Sequence, residues 1–449
     1  MPADGLRRSL RLRSVVLFGL AYMAPMIVLG TFGVVSDTTS GTTPSAYLLA
    51  LVAMLFTACS YGMMARAHPV AGSAYNYVRR TIDSRAGFLV GWVVLLDYFF
   101  LPMVIWLIGA TYLQARFPAV PLWVWIVGFI VVTSALNVLG IKVADKTNYL
   151  LMAFQLLVVG LFVAFSLAHL FAQGGTGSWF SLDPFAHEST TWGGISAGAA
   201  LAAYSFLGFD AVTTLTEETV EPRKTMPRAI LLIALIGGGI FVAVAYTTQL
   251  VHPGAFADPD SAAFSVAGTI AGDAFASVFL AGLVVAQFAS GLAAQASVSR
   301  LLFAMGRDSV LPKRIFGFVH RRFGTPVPGI VLCGAVGLLA LAMDVSASTS
   351  FINFGAFVAF TAVNISVIAR YARERAAGRS PAALPHVLVP AIGAVIDLWL
   401  LINLDSSALV LGVIWLSCGI AYLAYLTRLF RVPPPEMDMT EREDALSAA

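Results

Sequence analysis

Leu20-Ala21-Tyr22-Met23-Ala24-Pro25-Met26-Ile27 lies inside the first long apolar run of the chain, with Gly30 and Gly33 after it. Pro25 removes a backbone donor at that point, and its ring clashes with the preceding turn. A second interruption reads Tyr204-Ser205-Phe206-Leu207-Gly208-Phe209-Asp210 and places a glycine and a carboxylate in the middle of an apolar run. Taken alone, Pro25 is equally well a simple kink, which helices in membranes tolerate. Two interrupted spans in corresponding positions of two halves are the sequence pointer to a transporter site built from discontinuous helices.

The surrounding composition supplies the spans this reading needs. Of 449 residues, 59% are hydrophobic and 11% charged, and the mean hydropathy is +0.84. A soluble domain carries about 25% charged residues, so this chain cannot coat a water-facing surface. The same figures exclude disordered, coiled-coil, collagen-like and nucleic-acid-binding classes. Cys59, Cys333 and Cys418 each lie in apolar sequence and form neither a disulfide framework nor a metal signature. The fold class is therefore all-α and polytopic. About twenty apolar residues cross a bilayer, and about twelve such runs are centred near Ala24, Leu55, Leu96, Phe129, Leu157, Tyr204, Gly238, Val285, Val336, Phe360, Val395 and Trp415. The two interruptions fall in the first and sixth runs. They lie five apart, and an odd offset gives the two halves inverted topology. The eighth run, Phe279 to Phe303, is expected to be the longest.

Orientation follows from the basic residues. Alternate loops collect Arg7, Arg8, Arg11 and Arg13, then Arg66, Arg79, Arg80 and Arg85, then Lys142 and Lys146. Further along come Arg223, Lys224 and Arg228, the group from Arg300 to Arg322, that from Arg370 to Arg379, and Arg428, Arg431 and Arg442, leaving Arg116 alone opposite. The positive-inside rule makes the crowded face cytoplasmic, with both termini inside an inner (plasma) membrane. The first run is too long for a signal-peptide core and is read as an uncleaved span. The expected organisation is one transporter domain: a first repeat over 14–170, a second over 192–371, two additional helices over 384–430 and a Pro-rich, acidic tail over 431–449. No nucleotide loop, zinc signature or nucleophile elbow is present in the sequence. That disfavours an ATP-driven pump or an enzyme, and no cofactor is expected.

At these residues the chain resembles the amino acid–polyamine–organocation superfamily of transporters. The resemblance rests on Gly208-Phe209-Asp210, Glu217-Glu218, Glu221-Pro222-Arg223-Lys224 and Met226-Pro227-Arg228-Ala229-Ile230. It also rests on Ser299-Arg300-Leu301-Leu302-Phe303-Ala304-Met305-Gly306-Arg307-Asp308 and on Pro69-Val70-Ala71-Gly72-Ser73-Ala74-Tyr75. Within the superfamily, Tyr22-Met23-Ala24-Pro25-Met26-Ile27-Val28 and Leu96-Asp97-Tyr98 are similar to bacterial putrescine importers. The resemblance implies a five-plus-five inverted repeat with broken helices 1 and 6, two extra C-terminal spans and proton-coupled uptake. Two departures stand out. Typical amino acid permeases carry Gly-Ser-Gly at the first break, whose free N–H groups hold the substrate carboxylate. Ala24-Pro25-Met26 takes that place here, and Pro25 has no N–H to give. Some members carry a span-five lysine tied to proton coupling, and by its spacing from Asn148 that place falls on Gln155.

A charge in the hydrocarbon core costs roughly 2.5–3.5 kcal/mol on insertion scales. Asp97, Asp210 and Asp397 lie deep in apolar sequence with no deep Lys or Arg beside them. A proton, water or a cationic substrate must relieve them. A diamine needs two anionic or π-rich ends and no carboxylate clamp. Asp97 and Asp210 suit it, and Phe206, Phe209, Tyr98, Trp92 and Trp106 offer cation–π faces worth about 0.5–2 kcal/mol each. The bland alternative for Asp97 is a protonated residue bonded to a neighbouring helix; Asp397, outside the repeats, reads as structural. The expected substrate contacts are Ala24, Pro25, Met26, Asp97, Tyr98, Phe206, Gly208, Phe209 and Asp210. Asp97, Gln155, Glu217 and Glu218 are the candidates for proton coupling or gating, the two glutamates either pairing with basic inner loops or simply solvated. The expected function is proton-coupled import of a small organic cation such as putrescine. The alternatives are a permease for a neutral or cationic amino acid and a non-transporting membrane sensor. Expected partners are the small-molecule substrate, protons and the lipid bilayer, and not nucleic acid; the oligomeric state is left open.

Overall fold

The computed structural model describes residues 10–69, 73–140, 145–173, 180–307, 311–320, 322–379 and 381–434. Most of them lie in helices, which satisfy backbone polar groups within the segment, as a hydrocarbon environment demands. The first span is a bent pair, α1 (Leu12–Tyr22) and α2 (Ile27–Thr38), set at 49°. Then follow α3 (Thr43–Ala67), the short α4 (Ser73–Thr81), α5 (Ser84–Arg116), α6 (Leu122–Val138) and α7 (Asp145–Ala172). The sixth span is α8 (Trp192–Ala202), continued by two 3₁₀ turns, Ala203–Phe206 and Ala211–Glu217. After it come α9 (Pro222–Val251), α10 (Ala262–Arg307), α11 (Lys313–Phe316), α12 (Val327–Gly337), α13 (Val345–Ala376), α14 (Val389–Ile402) and α15 (Ser406–Leu426).

Among the described residues nine helices are long and apolar enough to cross a bilayer, and the bent pair makes a tenth. Two shorter apolar helices, Leu122–Val138 and Val327–Ala342, stand where the fourth and ninth runs were expected. The eighth run lies in the longest helix described, as expected, but that helix starts earlier. α10 begins at Ala262, seventeen residues before Phe279, and is interrupted at Ala271 and Gly272, where φ turns to +73°. Its 46 residues would extend about 69 Å at 1.5 Å each, against a core of about 30 Å. Only the part after Gly272 can span, and apolar content alone does not reveal where such a helix bends.

The helices pair in a pattern that repeats at an offset of five spans. α3 lies against α9, the second span on the seventh, and α5 lies against α10, the third on the eighth. α5 packs on α13 as α10 packs on α7; α3 packs on α8 as α9 packs on α1; α5 packs on α6 as α10 packs on α12. α14 and α15 sit at the periphery, where Val395 is 67% and Val410 60% exposed. Apolar side chains that far out of the protein face lipid.

The basic loops gather at one end. Arg373 donates to the carbonyls of Arg80 (3.3 Å) and Ile82 (3.2 Å), and Arg85 donates to the carbonyl of Phe430 (2.6 Å). His68 lies just past α3 at this end, and its imidazole is held below the usual histidine range by partial burial and then by the charges of Arg80 and Arg370. A histidine shifted down loses stability for the fold as pH falls through the window beginning near 6.5. His68→Gln should therefore raise the melting temperature at pH 5 and leave it unchanged at pH 8, as a thermal-unfolding series in detergent would register. The acidic tail from 435 onward, the Val70–Gly72 part of the Gly-Ser-Tyr element and the loop carrying Lys142 lie outside the described residues.

Candidate substrate site at two paired helix breaks

At the first break, Ala24 takes a left-handed φ of +46°, a conformation that L residues with a Cβ rarely adopt. The chain is pinned on both sides: the Met23 N–H donates to Gly19 (3.0 Å), Ala24 to Ala21 (3.2 Å) and Ile27 back to Ala24 (2.8 Å). Pro25 sits between them with no N–H. At the second break the chain leaves the first 3₁₀ turn at Phe206 and passes Gly208 at φ +105°, re-entering helical turns at Ala211. The two breaks touch. A Cβ on Gly208 would lie 2.2 Å from Cδ1 of Tyr22, the last residue of α1. Glycine is thus required at 208 twice over, by its φ and by the ring that covers it.

Asp97 and Asp210 lie around this contact. The Asp210 charge is felt at Asp97, and Tyr22 feels both. Tyr204 senses Asp97, and Tyr61 and Tyr77 sense Asp210. Asp97 Oδ1 is buried with no hydrogen-bond partner, and so is the Tyr77 hydroxyl, while the Tyr61 hydroxyl faces the Asp210 carboxylate. Tyr22 is 39% exposed, its ring lying beside Phe18 (6.5 Å) and over Gly208. Asp97 is held there by a close helix contact: a Cβ on Gly355 of α13 would meet the Val93 carbonyl at 2.9 Å and the Asp97 nitrogen at 3.7 Å. Two nearby carboxylates, one with an unsatisfied oxygen and neither ion-paired among the described residues, form a place for positive charge.

The other expected residues separate. Ala24 and Pro25 form the first break, and Met26 is buried beside it, its Sδ meeting Gly282 of α10, which also meets Val158 of α7. Gln155 lies one turn before Val158 on the same face; it is buried with Oε1 lacking a partner. Tyr98 is partly buried beside Asp97 in α5. Phe206 is fully buried edge-on to Phe241 (5.2 Å), and Phe209 is enclosed by Tyr61 (5.7 Å) and Phe360 (5.3 Å). Their rings wall the second break. Trp92 stacks on Trp415 at 5.1 Å, each indole donating to the other's carbonyl, and Trp106 packs against Gly291 and Gly337. Of Glu217 only the backbone is described. Glu218 takes no part in the ion pairs among the described residues, Lys224–Glu221 and Arg370–Glu374. Its carbonyl instead accepts from Leu10 (3.0 Å), while Val220 donates to Leu10 (2.9 Å). The segment before the first broken span is thereby tied to the segment after the second.

Asp397 belongs elsewhere. It is fully buried and accepts from Thr57 (2.9 Å) and Asn364 (2.9 Å), joining α3, α13 and α14. Asp397→Asn keeps one acceptor for those donors, so ligand affinity should stay within about twofold of wild type in an equilibrium titration. Two residues with no advance signal, Tyr47 and Thr31, also connect the breaks through Ser205. The Tyr47 hydroxyl bonds Thr31 of α2 (3.1 Å) and Ser205 at the second break (3.2 Å). A tyrosine in an apolar span has no spacing that distinguishes it from core.

Residues 14–404 match the amino acid permease family. The chain belongs to that family. This permease is 40% identical over 442 residues to the low-affinity putrescine importer PlaP of Escherichia coli strain K12, covering 96% of each chain. It is 26% identical over 456 residues to the methylthioribose transporter of Bacillus subtilis strain 168, covering 94% of each. Against the branched-chain amino acid permease BcaP of the same organism it is 25% identical over 403 residues, covering 85% of this permease and 84% of that one.

Proposed function

We propose that the protein is a secondary active importer of putrescine or a closely similar diamine, coupled to protons. The observation that carries the reading is the pair Asp97 and Asp210, set around touching helix breaks with an unsatisfied carboxylate oxygen. Each ammonium end of a diamine neutralises one carboxylate, with Tyr22 in the neighbourhood of both and Tyr204 in that of Asp97. Pro25 withholds the donor that a substrate carboxylate needs, which selects against zwitterions. The 40% identity to PlaP along nearly the whole chain supports the same substrate class.

In this reading 14–170 and 192–371 are inverted repeats, supported by the helix pairing that recurs at an offset of five, and 384–430 adds two peripheral helices. The protein lies in the inner membrane with its basic face and both termini in the cytoplasm. Either carboxylate takes a proton when the diamine leaves, so the site need not expose a bare anion to low dielectric. Gln155, unable to take up a proton itself, contributes a hydrogen-bonding amide beside the first break. The backbone bridge from Leu10 to Thr219 acts as an inner latch with Glu218 in it. Labelled putrescine uptake into proteoliposomes tests the reading. Uptake should rise with an inward proton gradient and collapse with a protonophore; uptake that follows sodium instead contradicts the coupling, and no uptake at all favours a sensor.

A further inference from the structure

A cluster of basic side chains lies away from the helix breaks. At the basic end a cavity of about 780 Å³ opens between the ends of α3, α9 and α13 and the start of α14. Arg66, Arg223, Lys224, Arg370 and His386 line it, with Met63, Ala67 and Pro385 as its apolar wall. Two of the cations are offset locally: Lys224 pairs with Glu221 at 3.1 Å and Arg370 with Glu374 at 2.7 Å. Arg66 and Arg223 have no ion pair among the described residues. No carboxylate lines the cavity. His386 is held there by a π-helical turn, Leu384–Leu388, its Nδ1 against the Ala382 carbonyl at 2.9 Å. His68 lies near the same cluster, its imidazole held toward the neutral form by partial burial first and then by Arg80 and Arg370.

We propose that this cavity is a binding site for the phosphate headgroup of an anionic phospholipid. Arg66 and Arg223, without ion pairs among the described residues and with no carboxylate in the wall, suit a ligand bearing negative charge. The surroundings favour a lipid over a free anion. Leu384 (66% exposed) and Leu388 (51% exposed) flank Pro385 and His386, and Leu231 and Leu235 continue α9 beyond Lys224 on exposed surface. These apolar side chains run from the cavity along the helices into the bilayer, where acyl chains attached to a seated headgroup would lie. Basic pockets between transmembrane helices at the cytoplasmic interface are suited to this use. A lipid held here would bridge α3, α9 and α13, and so touch both proposed repeats without occupying the substrate site.

The test needs no transport and no putrescine. Purified protein in neutral detergent is titrated with phosphatidylglycerol, phosphatidylcholine or inorganic phosphate, and the thermal-unfolding shift gives an apparent affinity for each. Wild type should prefer phosphatidylglycerol to phosphatidylcholine by at least tenfold, and inorganic phosphate should produce no comparable shift. Each basic residue at a membrane surface is worth about fivefold in affinity. Arg66→Gln/Arg223→Gln should thus weaken phosphatidylglycerol binding roughly thirtyfold, while Arg428→Gln/Arg431→Gln, with the same charge lost elsewhere on that face, should not. Equal affinity for the two lipids overturns the proposal on wild type alone, whatever the variants' folding. An equal shift with inorganic phosphate makes it a free-anion site, and unchanged binding by the Arg66/Arg223 variant moves the lipid elsewhere.

Discussion

Asp210→Asn lowers putrescine affinity by one to more than three orders of magnitude while leaving the protein folded. The side chain stands at the second break with its charge felt at Asp97 and Tyr22. Removing one member of a desolvated charge pair costs about 2–5 kcal/mol, and about 1.4 kcal/mol is tenfold. The amide keeps the shape, and a neutral amide is easier to bury than an unpaired anion. Isothermal titration of a monodisperse variant is the check. Wild-type affinity in that variant would remove Asp210 from the site and leave Asp97 as its remaining anionic end.

Gly208→Ala is expected to cut uptake below a tenth of wild type. Two costs add. A left-handed φ of +105° is strained for any L side chain, at about 1–2 kcal/mol. The new methyl, 2.2 Å from the Tyr22 ring, overpacks the contact at about 1–3 kcal/mol more. Tyr22→Ala in the same chain relieves the second cost and not the first. Uptake by the double variant should therefore recover in part if the two breaks move against each other, once Tyr22→Ala alone has set the reference. Full loss in the double variant would assign the whole effect to φ at 208.

Much of the architecture was legible because its causes are local. Pro25 cannot continue a helix, and Gly208 beside Asp210 in an apolar run has few other uses, so both breaks were visible in the residues themselves. The apolar runs forecast the helices because hydrocarbon leaves the backbone no alternative. The bend at Gly272 was not read: Gly272-Asp273 does interrupt the apolar sequence, but it lies before the eighth run, which begins at Phe279. At the site, the carboxylates announced themselves by their cost in lipid. The aromatic rings did not sort themselves. Trp92 bonds Trp415, from a span more than 300 residues away in sequence, and Tyr47 links two breaks through partners 16 and 158 residues away. Pairings of that range leave no trace in spacing. Tyr22 stood inside the decisive stretch, yet its role as the lid on Gly208 exists only once the two breaks meet.

The central claim is that two carboxylates at paired breaks, with proline where a carboxylate-binding donor would stand, make this permease a diamine carrier. Competition against labelled putrescine uptake in proteoliposomes tests it most directly, with unlabelled putrescine, leucine and arginine as competitors at equal concentration. The account predicts strong inhibition by putrescine and at least a hundredfold weaker inhibition by leucine and arginine. Equal inhibition by leucine and putrescine would contradict it and return the protein to the amino acid carriers.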